Sequence, residues 1–339
     1  MHFTTRPVGQ TSLRLPTLGF GTAPLGGLFD AVNGTEAGLT LAEALATGMG
    51  YVDTAPFYGF GLSERRVGDQ LRGRPHLLST KVGRLLEPGP VPDPAEIGWP
   101  DALPFHPVHD YTYDGVMRSF DHSLQRLGLD RVDILYVHDI GEMTLGADNA
   151  KHFKDLADGG YRALDELRAA GRIKAIGLGV NEVQICLDAL EIGEWDVFLL
   201  AGRYTLLEQT ALDALLPKCA ARDMSIVVGG PFNSGILAGG KTWNYAAAPA
   251  EVVARVQALR AVCQDFDVPL SAAALQFPLG HDVVCSVIPG LRNRAELADT
   301  LRWAAHPIPS AFWETLKQRA LMHPDAPTPR PHPFEEAQG

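Results

Sequence analysis

Short apolar runs alternate with segments of helical spacing along nearly the whole chain. The runs are TLGFGT (17–22), YVDTA (51–55), HLLSTKV (76–82), VDILYVH (132–138), IKAIGLG (173–179), DVFLLA (196–201), SIVVGG (225–230) and VVCSVIPG (283–290). Several lack strict alternation of apolar and polar positions, which is the pattern of parallel strands buried on both faces. Between them, apolar residues recur every three or four positions in EAGLTLAEALATG, YDGVMRSFDHSLQRLG, GGYRALDELRAAGR, LEQTALDALLPKCAARD and PAEVVARVQALRAVCQDF, which predicts amphipathic helices. Eight strand-then-helix pairs predict an α/β fold of the (β/α)8 TIM-barrel type. The alternative, a doubly wound sheet, usually has fewer strands, and no GxGxxG follows the first run.

Three segments stand outside the repeat. Residues 1–16 carry turn chemistry at Gly9 and Gln10 between polar arms and predict a small hairpin capping one end of the barrel. Residues 83–112 hold seven prolines and no helical period, so a long loop is expected after the third strand, either a lid or disordered. The proline-rich tail, 323–339, is expected either to fray or to fold over the barrel mouth. The 339 residues fit a single barrel domain spanning 1–339.

Composition narrows the function. A net charge of -11 without a dense basic run argues against nucleic acid or an anionic membrane as partner and leaves a small molecule as the expected one. The N-terminus has no apolar signal core and no run is long enough to cross a bilayer, so a cytoplasmic location is the expectation. Cys186, Cys219, Cys263 and Cys285 form no CxxC and are expected to be reduced. Oligomeric state leaves no mark in the sequence.

In a barrel of this kind, chemistry sits where strands end, because the loops that follow converge on one concave face. Asp53 and Tyr58 follow the second strand, Lys81 ends the third and His138 ends the fourth. Singly each has a bland reading as a cap, a surface aromatic, a solvated amine or a core histidine. Together they supply a phenol, an ammonium expected to lower its pKa, a carboxylate to hold that ammonium, and an imidazole to orient a substrate oxygen. Carbonyl–alcohol interconversion is the chemistry they suit. The HPVHD stretch also admits a metal reading, but the HxH that barrel hydrolases typically carry on the first strand is absent.

The motifs GFGTAPLGG, DTAPFYGFGLSERRVG, STKVGR, DILYVHDI and VIPGLRNRAEL, in that order, resemble those of the aldo-keto reductases. The resemblance covers nearly the whole chain and implies a (β/α)8 barrel with a nicotinamide cofactor and a catalytic Asp53, Tyr58, Lys81 and His138. Within that superfamily the stretches LLSTKVGRLL, GLGVNE and LLAGRYTLLEQ are similar to the D-threo-aldose 1-dehydrogenases, with pyridoxal 4-dehydrogenase close by. This implies oxidation of the anomeric hydroxyl of an aldose such as L-fucose, L-galactose or D-arabinose to a lactone. The alternatives are pyridoxal oxidation, NADPH-dependent aldehyde or ketone reduction, and a nicotinamide-sensing regulatory subunit.

By the same resemblance, Thr22, Ala23, Asp53, Asn181, Arg294 and Glu296 are expected to hold the cofactor; the glycine-rich stretch after the seventh strand and the loop after the eighth, between which phosphate commonly binds in a barrel, add Gly230, Pro231, Phe232, Asn233, Gly235, Pro289 and Gly290. Tyr58, Trp99, His106, His138 and Asn181 are expected to meet substrate, and no metal is expected. Gly229 stands where many relatives stack an aromatic ring on the nicotinamide, leaving Phe232 as the substitute, and Ala201 replaces a customary Gln. Glu296 favours NAD, whereas Arg292 and Arg294 keep NADP as the alternative.

Overall fold

The computed structural model describes residues 3–89 and 98–334. Residues 1–2 of the expected hairpin segment, 90–97 of the long loop and 335–339 of the tail lie outside them. The eight expected runs form one eight-stranded parallel sheet. Its strands are β1 (Phe20–Gly21), β2 (Tyr51–Asp53), β3 (Leu77–Val82), β4 (Ile134–His138), β5 (Ala175–Val180), β6 (Val197–Ala201), β7 (Ser225–Gly229) and β8 (Val284–Ile288). Consecutive strands are neighbours throughout. Hydrogen bonds from Gly19 N to Val287 O (3.0 Å), Val287 N to Thr17 O (2.9 Å) and Gly21 N to Pro289 O (2.9 Å) bring β1 against β8 and curl the sheet into a barrel.

Helices α1 (Gly34–Ala46), α2 (Leu62–Leu71), α3 (Tyr113–Leu127), α4 (Tyr161–Ala169), α5 (Val183–Ala189), α6 (Leu215–Ala221), α7 (Leu270–Gln276) and α8 (Arg294–Ala305) surround it. Ala250–Asp265 and Ser310–Gln318 form further helices. Two expected helices are shorter than their apolar spacing suggested. The run 207–223 becomes a 3-10 turn at Thr210–Leu212 followed by α6, and α4 is entered from a separate helix, Asn149–Asp155, through a π-turn at Leu156–Gly160.

Strand alternation sorts the interior from the wall. Tyr51, Ile134, Tyr136, Ala175, Val197, Leu199, Val227 and Cys285 fill the barrel, whereas Val52, Leu78, Leu135, Val137, Ile176 and Ile226 pack outward in the main core with the helices. The interior is plugged from the N-terminal ends of the strands by Val8, Leu13 and Leu15 of a hairpin, Thr5–Pro7 paired antiparallel with Arg14–Pro16. Gly9 N bonds Ser225 Oγ (2.9 Å), and Arg6 donates to the carbonyls of Leu279, His281 and Val284, which lead into and begin β8.

The described part of the tail, up to Phe334, does not reach the mouth. Phe334 is buried edge-on against Phe3, its carbonyl accepts from Thr4 N (2.9 Å), and residues 327–329 lie against Gly280 just before β8. It packs with the hairpin at the opposite end of the barrel from the strand C-termini. Among the described residues of the segment after β3, the parts flanking 90–97 form regular structure instead of the expected loop. Arg84–Pro88 pairs antiparallel with Phe105–His109, a ribbon whose two arms are too far apart in sequence to read as a hairpin. The four cysteines are free and buried.

Candidate active site

Period-two alternation places Tyr51 and Asp53 on one face of β2, Ser79 and Lys81 on one face of β3, and Ile134, Tyr136 and His138 on one face of β4. Backbone register sets Asp53 opposite Ser79 and Lys81 opposite Tyr136, so two polar layers stack inside the barrel. The lower layer is a chain of hydroxyls in which Tyr51 OH meets Ser79 Oγ (3.0 Å) and Tyr136 OH (3.2 Å). Above it, Ser79 Oγ donates to Asp53 Oδ1 at 2.6 Å. Lys81 Nζ donates to Asp53 Oδ2 (2.6 Å), the Thr54 carbonyl (2.9 Å) and Tyr58 OH (3.2 Å), so all three ammonium protons have acceptors. Gly179 on β5 makes room for this lysine, since a Cβ there would meet Lys81 Cε at 3.0 Å.

Tyr58 arrives from a tight turn after β2. Gly59 (φ +63) and Gly61 (φ +95) adopt left-handed conformations that let the chain reverse into α2. Gly61, and not the nearby Ser63, occupies the N-cap of α2. Ser63 is buried instead, and its hydroxyl meets Thr22 O, Thr22 Oγ1 and Thr54 Oγ1. This ties the turn bearing Tyr58 to the ends of β1 and β2. With Lys81 donating to its oxygen, the phenol's own proton is left to point into the mouth.

His138 stands edge-on to Tyr58, with ring centroids 5.8 Å apart at 84°. Its Nε2 lies 3.5 Å from Asp139 Oδ2, and its Nδ1 is buried without a hydrogen-bond partner among the described residues. The carboxylate favours the tautomer with the proton on Nε2, which is the nitrogen able to donate to a ligand oxygen. Burial, then the Arg84, Lys81 and His109 charges, push its pKa well below the usual histidine range, so the ring is neutral at neutral pH.

Tyr58 itself departs from expectation. A lowered phenol pKa follows from Lys81 alone, but burial and the Asp53 and Asp139 carboxylates push it well above its ordinary value. Lys81 is matched by Asp53 at 2.6 Å, so its net field at the phenol is small. The free protein therefore holds a protonated phenol, ready to act as an acid; the base role requires added positive charge in the cleft.

The other expected residues divide into groups. Trp99 is buried and stacked over Tyr58 (centroids 5.8 Å, 24°) and edge-on to Phe57 (5.7 Å, 83°), giving the mouth an aromatic wall. His106 is not brought to the tetrad; it lies on the ribbon 3.9 Å from Glu87. Thr22 Oγ1 donates to the Asp53 carbonyl at 2.8 Å, so it braces the catalytic strand end, and Ala23 opens a 3-10 turn beside it. Asn181 directly follows β5, and its amide makes no hydrogen bond among the described residues.

The turn after β7 suits a phosphate-bearing ligand. Gly230, Asn233, Ser234 and Gly235 all have positive φ, Pro231 stands within the turn, and the buried Asn233 Oδ1 has no partner among the described residues. Asn233 Nδ2 meanwhile holds Gly202 O (3.2 Å) and Glu208 Oε1 (3.1 Å), fixing this turn to the one after β6. Pro289 and Gly290 line the adjoining gap against Gly21 and Pro24. Phe232 packs edge-on against Trp303 in the helical wall (5.5 Å, 73°), a position unlike that of a stacking platform at the mouth. Arg294 pairs with Glu36, and Arg292 pairs with both Glu296 and Asp30.

Two groups escaped the sequence reading. Glu64 on α2 is fully buried, accepting from Thr80 Oγ1 (2.6 Å) and Arg126 Nε (2.5 Å), and so fastens α2 and α3 to the residue beside Lys81. Arg84 lies 4.1 Å over the Phe57 ring and pairs with Asp139 at 2.9 Å, within the mouth itself. The VHDI and KVGR motifs contain this pair, but nothing local says that they meet.

An eight-stranded parallel barrel with an Asp, Tyr, Lys and His cluster at its strand ends is the architecture of a nicotinamide-dependent oxidoreductase. The sequence profile of the Aldo/keto reductase family matches residues 17–320, and the chain belongs to that family. It is 47% identical to the pyridoxal 4-dehydrogenase of Microbacterium luteolum, covering 94% of this chain and 97% of that one. It is 38% identical to the D-threo-aldose 1-dehydrogenase of a Pseudomonas species, covering 97% and 100%. Among solved structures it is similar to the aldo-keto reductase AKR11C1 of Bacillus halodurans in its holo form, with TM-score 0.73, 25% identity and coverage of 98% and 100%. The protein is thus an NAD(P)-dependent oxidoreductase acting on a small molecule. None of its described helices is long and apolar enough to cross a membrane.

Proposed function

We propose that the protein oxidises the hemiacetal hydroxyl of a ring-closed aromatic aldehyde of the pyridoxal kind to a lactone, with NAD as acceptor. The observation that carries this reading is the aromatic lining of the mouth, in which the half-buried Tyr58 and Phe57, backed by the buried Trp99, offer apolar ring surface to a planar heterocycle. The 47% identity to a pyridoxal 4-dehydrogenase agrees with it. The bound nicotinamide supplies the hydride acceptor and a positive charge. As the phenolate, balanced by Lys81, which Asp53 holds in turn, Tyr58 takes the hydroxyl proton and becomes the neutral phenol, and His138 Nε2 orients the substrate oxygen. In the reverse direction Tyr58 gives the same proton to a carbonyl.

Charge supports NAD as the acceptor in this reading. Arg292 and Arg294, the cations suited to a 2'-phosphate, are each engaged by carboxylates, and Asp30, Glu36 and Glu296 together oppose a further anion there. A free aldose is the second reading, favoured by the 38% identity to a D-threo-aldose 1-dehydrogenase and by the readiness of sugar C–H faces to pack on aromatic rings. The test is nicotinamide absorbance with NAD and with NADP against pyridoxal, L-fucose, L-galactose, D-arabinose and simple aldehydes. Turnover is expected with pyridoxal and NAD; activity confined to NADPH-driven reduction of aldehydes would refute the proposal.

A further inference from the structure

We propose that Asp139, held in place by Arg84, reads the substrate by accepting a hydrogen bond from the hydroxyl that lies nearest in space to the reacting oxygen. The inference rests on the hemiacetal reading above and names the substrate class more narrowly. Asp139 directly follows His138 and adopts φ 42, a left-handed conformation that aspartate tolerates better than most residues. Its Oδ2 faces His138 Nε2 at 3.5 Å and accepts Arg84 Nη2 at 2.9 Å. The guanidinium side chain is 4% exposed and the carboxylate side chain 18%, so the cation is the more deeply set and the anion the more accessible. Oδ1 takes no hydrogen bond from the described residues.

The spacing is what gives this pair a ligand. The reacting oxygen and the nearest hydroxyl lie about a hydrogen-bond length apart both in an aldose, where they sit on neighbouring carbons, and in a 3-hydroxypyridine hemiacetal, where one ring carbon separates the two that bear them, and this is close to the gap between His138 Nε2 and the Asp139 carboxylate. A substrate whose reacting oxygen sits at Nε2 therefore brings its adjacent oxygen to Asp139. The carboxylate has no proton to give, so it selects a donor hydroxyl and repels an ionised one. The 2-hydroxyl of an aldose fits, as does the 3-hydroxyl of a 3-hydroxypyridine hemiacetal with its proton kept between the phenol oxygen and Asp139. Hemiacetals with hydrogen in place of that hydroxyl leave Asp139 Oδ1 without a donor on leaving water, and this penalises them.

The test compares kcat/KM for pyridoxal with its 3-deoxy analogue, and for L-fucose with 2-deoxy-L-fucose, using NAD. Wild type is expected to favour the hydroxylated member of an accepted pair by about 100-fold. In Asp139→Gly, which suits the positive φ and removes the acceptor, the ratio falls to about threefold or less; Asp139→Asn, which keeps a neutral acceptor, falls between. A ratio near one in wild type, or an undiminished ratio in either variant, overturns the inference while leaving the hemiacetal reading intact. Failure of all four alcohols in an enzyme that still reduces simple aldehydes overturns both. Should Asp139→Gly not fold, Asp139→Asn decides by the same ratio.

Discussion

The two sides of the barrel mouth are built from different materials. On β2 to β4 the site consists of side chains at strand ends, buried and locked by Lys81 with its three acceptors. On β7 and β8 it consists mostly of backbone, in a turn of successive positive-φ residues whose conformation, not chemistry, makes room for a ligand. In the proposed function the first side performs the reaction and the second holds the cofactor. Substitutions should separate kcat from KM along this divide.

The largest effect is expected at Tyr58. Tyr58→Phe keeps the stacking on Trp99 and removes only the proton carrier, so kcat should fall by about 1,000-fold or more while cofactor affinity, measured by fluorescence titration, changes little. A large loss of cofactor affinity in this variant would erase the proposed divide. On the other side, Asn233→Gly suits the left-handed backbone and removes the amide linking the β6 and β7 turns. It should raise KM for the cofactor by about tenfold with kcat nearly unchanged. Glu36→Gln releases Arg294, and relative kcat/KM with NADP should rise by about fivefold over NAD. No change in that ratio would place the adenine ribose elsewhere.

A smaller effect concerns stability. Burial, with Arg84 and His152 nearby, lowers the His109 pKa from 6.5 to about 4. The unfolded chain takes up the proton first as pH falls, so stability is fully present above about pH 6.5 and is lost progressively down to about pH 4. Because the ring is partly exposed, about 1 kcal/mol is expected after screening. His109→Phe should flatten this part of the pH–melting-temperature curve, and an unaltered curve would show that His109 contributes nothing to it.

The same divide explains how far the sequence could be read. Asp53, Tyr58, Lys81 and His138 were legible because a strand's period of two fixes which residues share a face and strand ends fix their height. Asp139 and Arg84 were not, since their meeting depends on a left-handed backbone and a ribbon whose arms are distant in sequence. The raised phenol pKa was missed for a related reason: a neighbouring lysine can be named from a motif, but the depth of burial and its Asp53 partner belong to the folded chain. Positive φ at Asn233 and Ser234 leaves no reliable trace in composition, which is why this side was legible only as a glycine-rich stretch after the seventh strand and not as a turn of defined geometry.

The central claim is that the Tyr58 phenol, served by Lys81, moves the proton when a ring hemiacetal is oxidised at the expense of NAD. The most direct measurement is a single-turnover absorbance trace of NADH formation on mixing pyridoxal with enzyme saturated in NAD, for wild type and Tyr58→Phe. A transient equal to the active-site concentration in wild type, slowed by about 1,000-fold in the variant, is the expected result. Equal transients in the two proteins would contradict it.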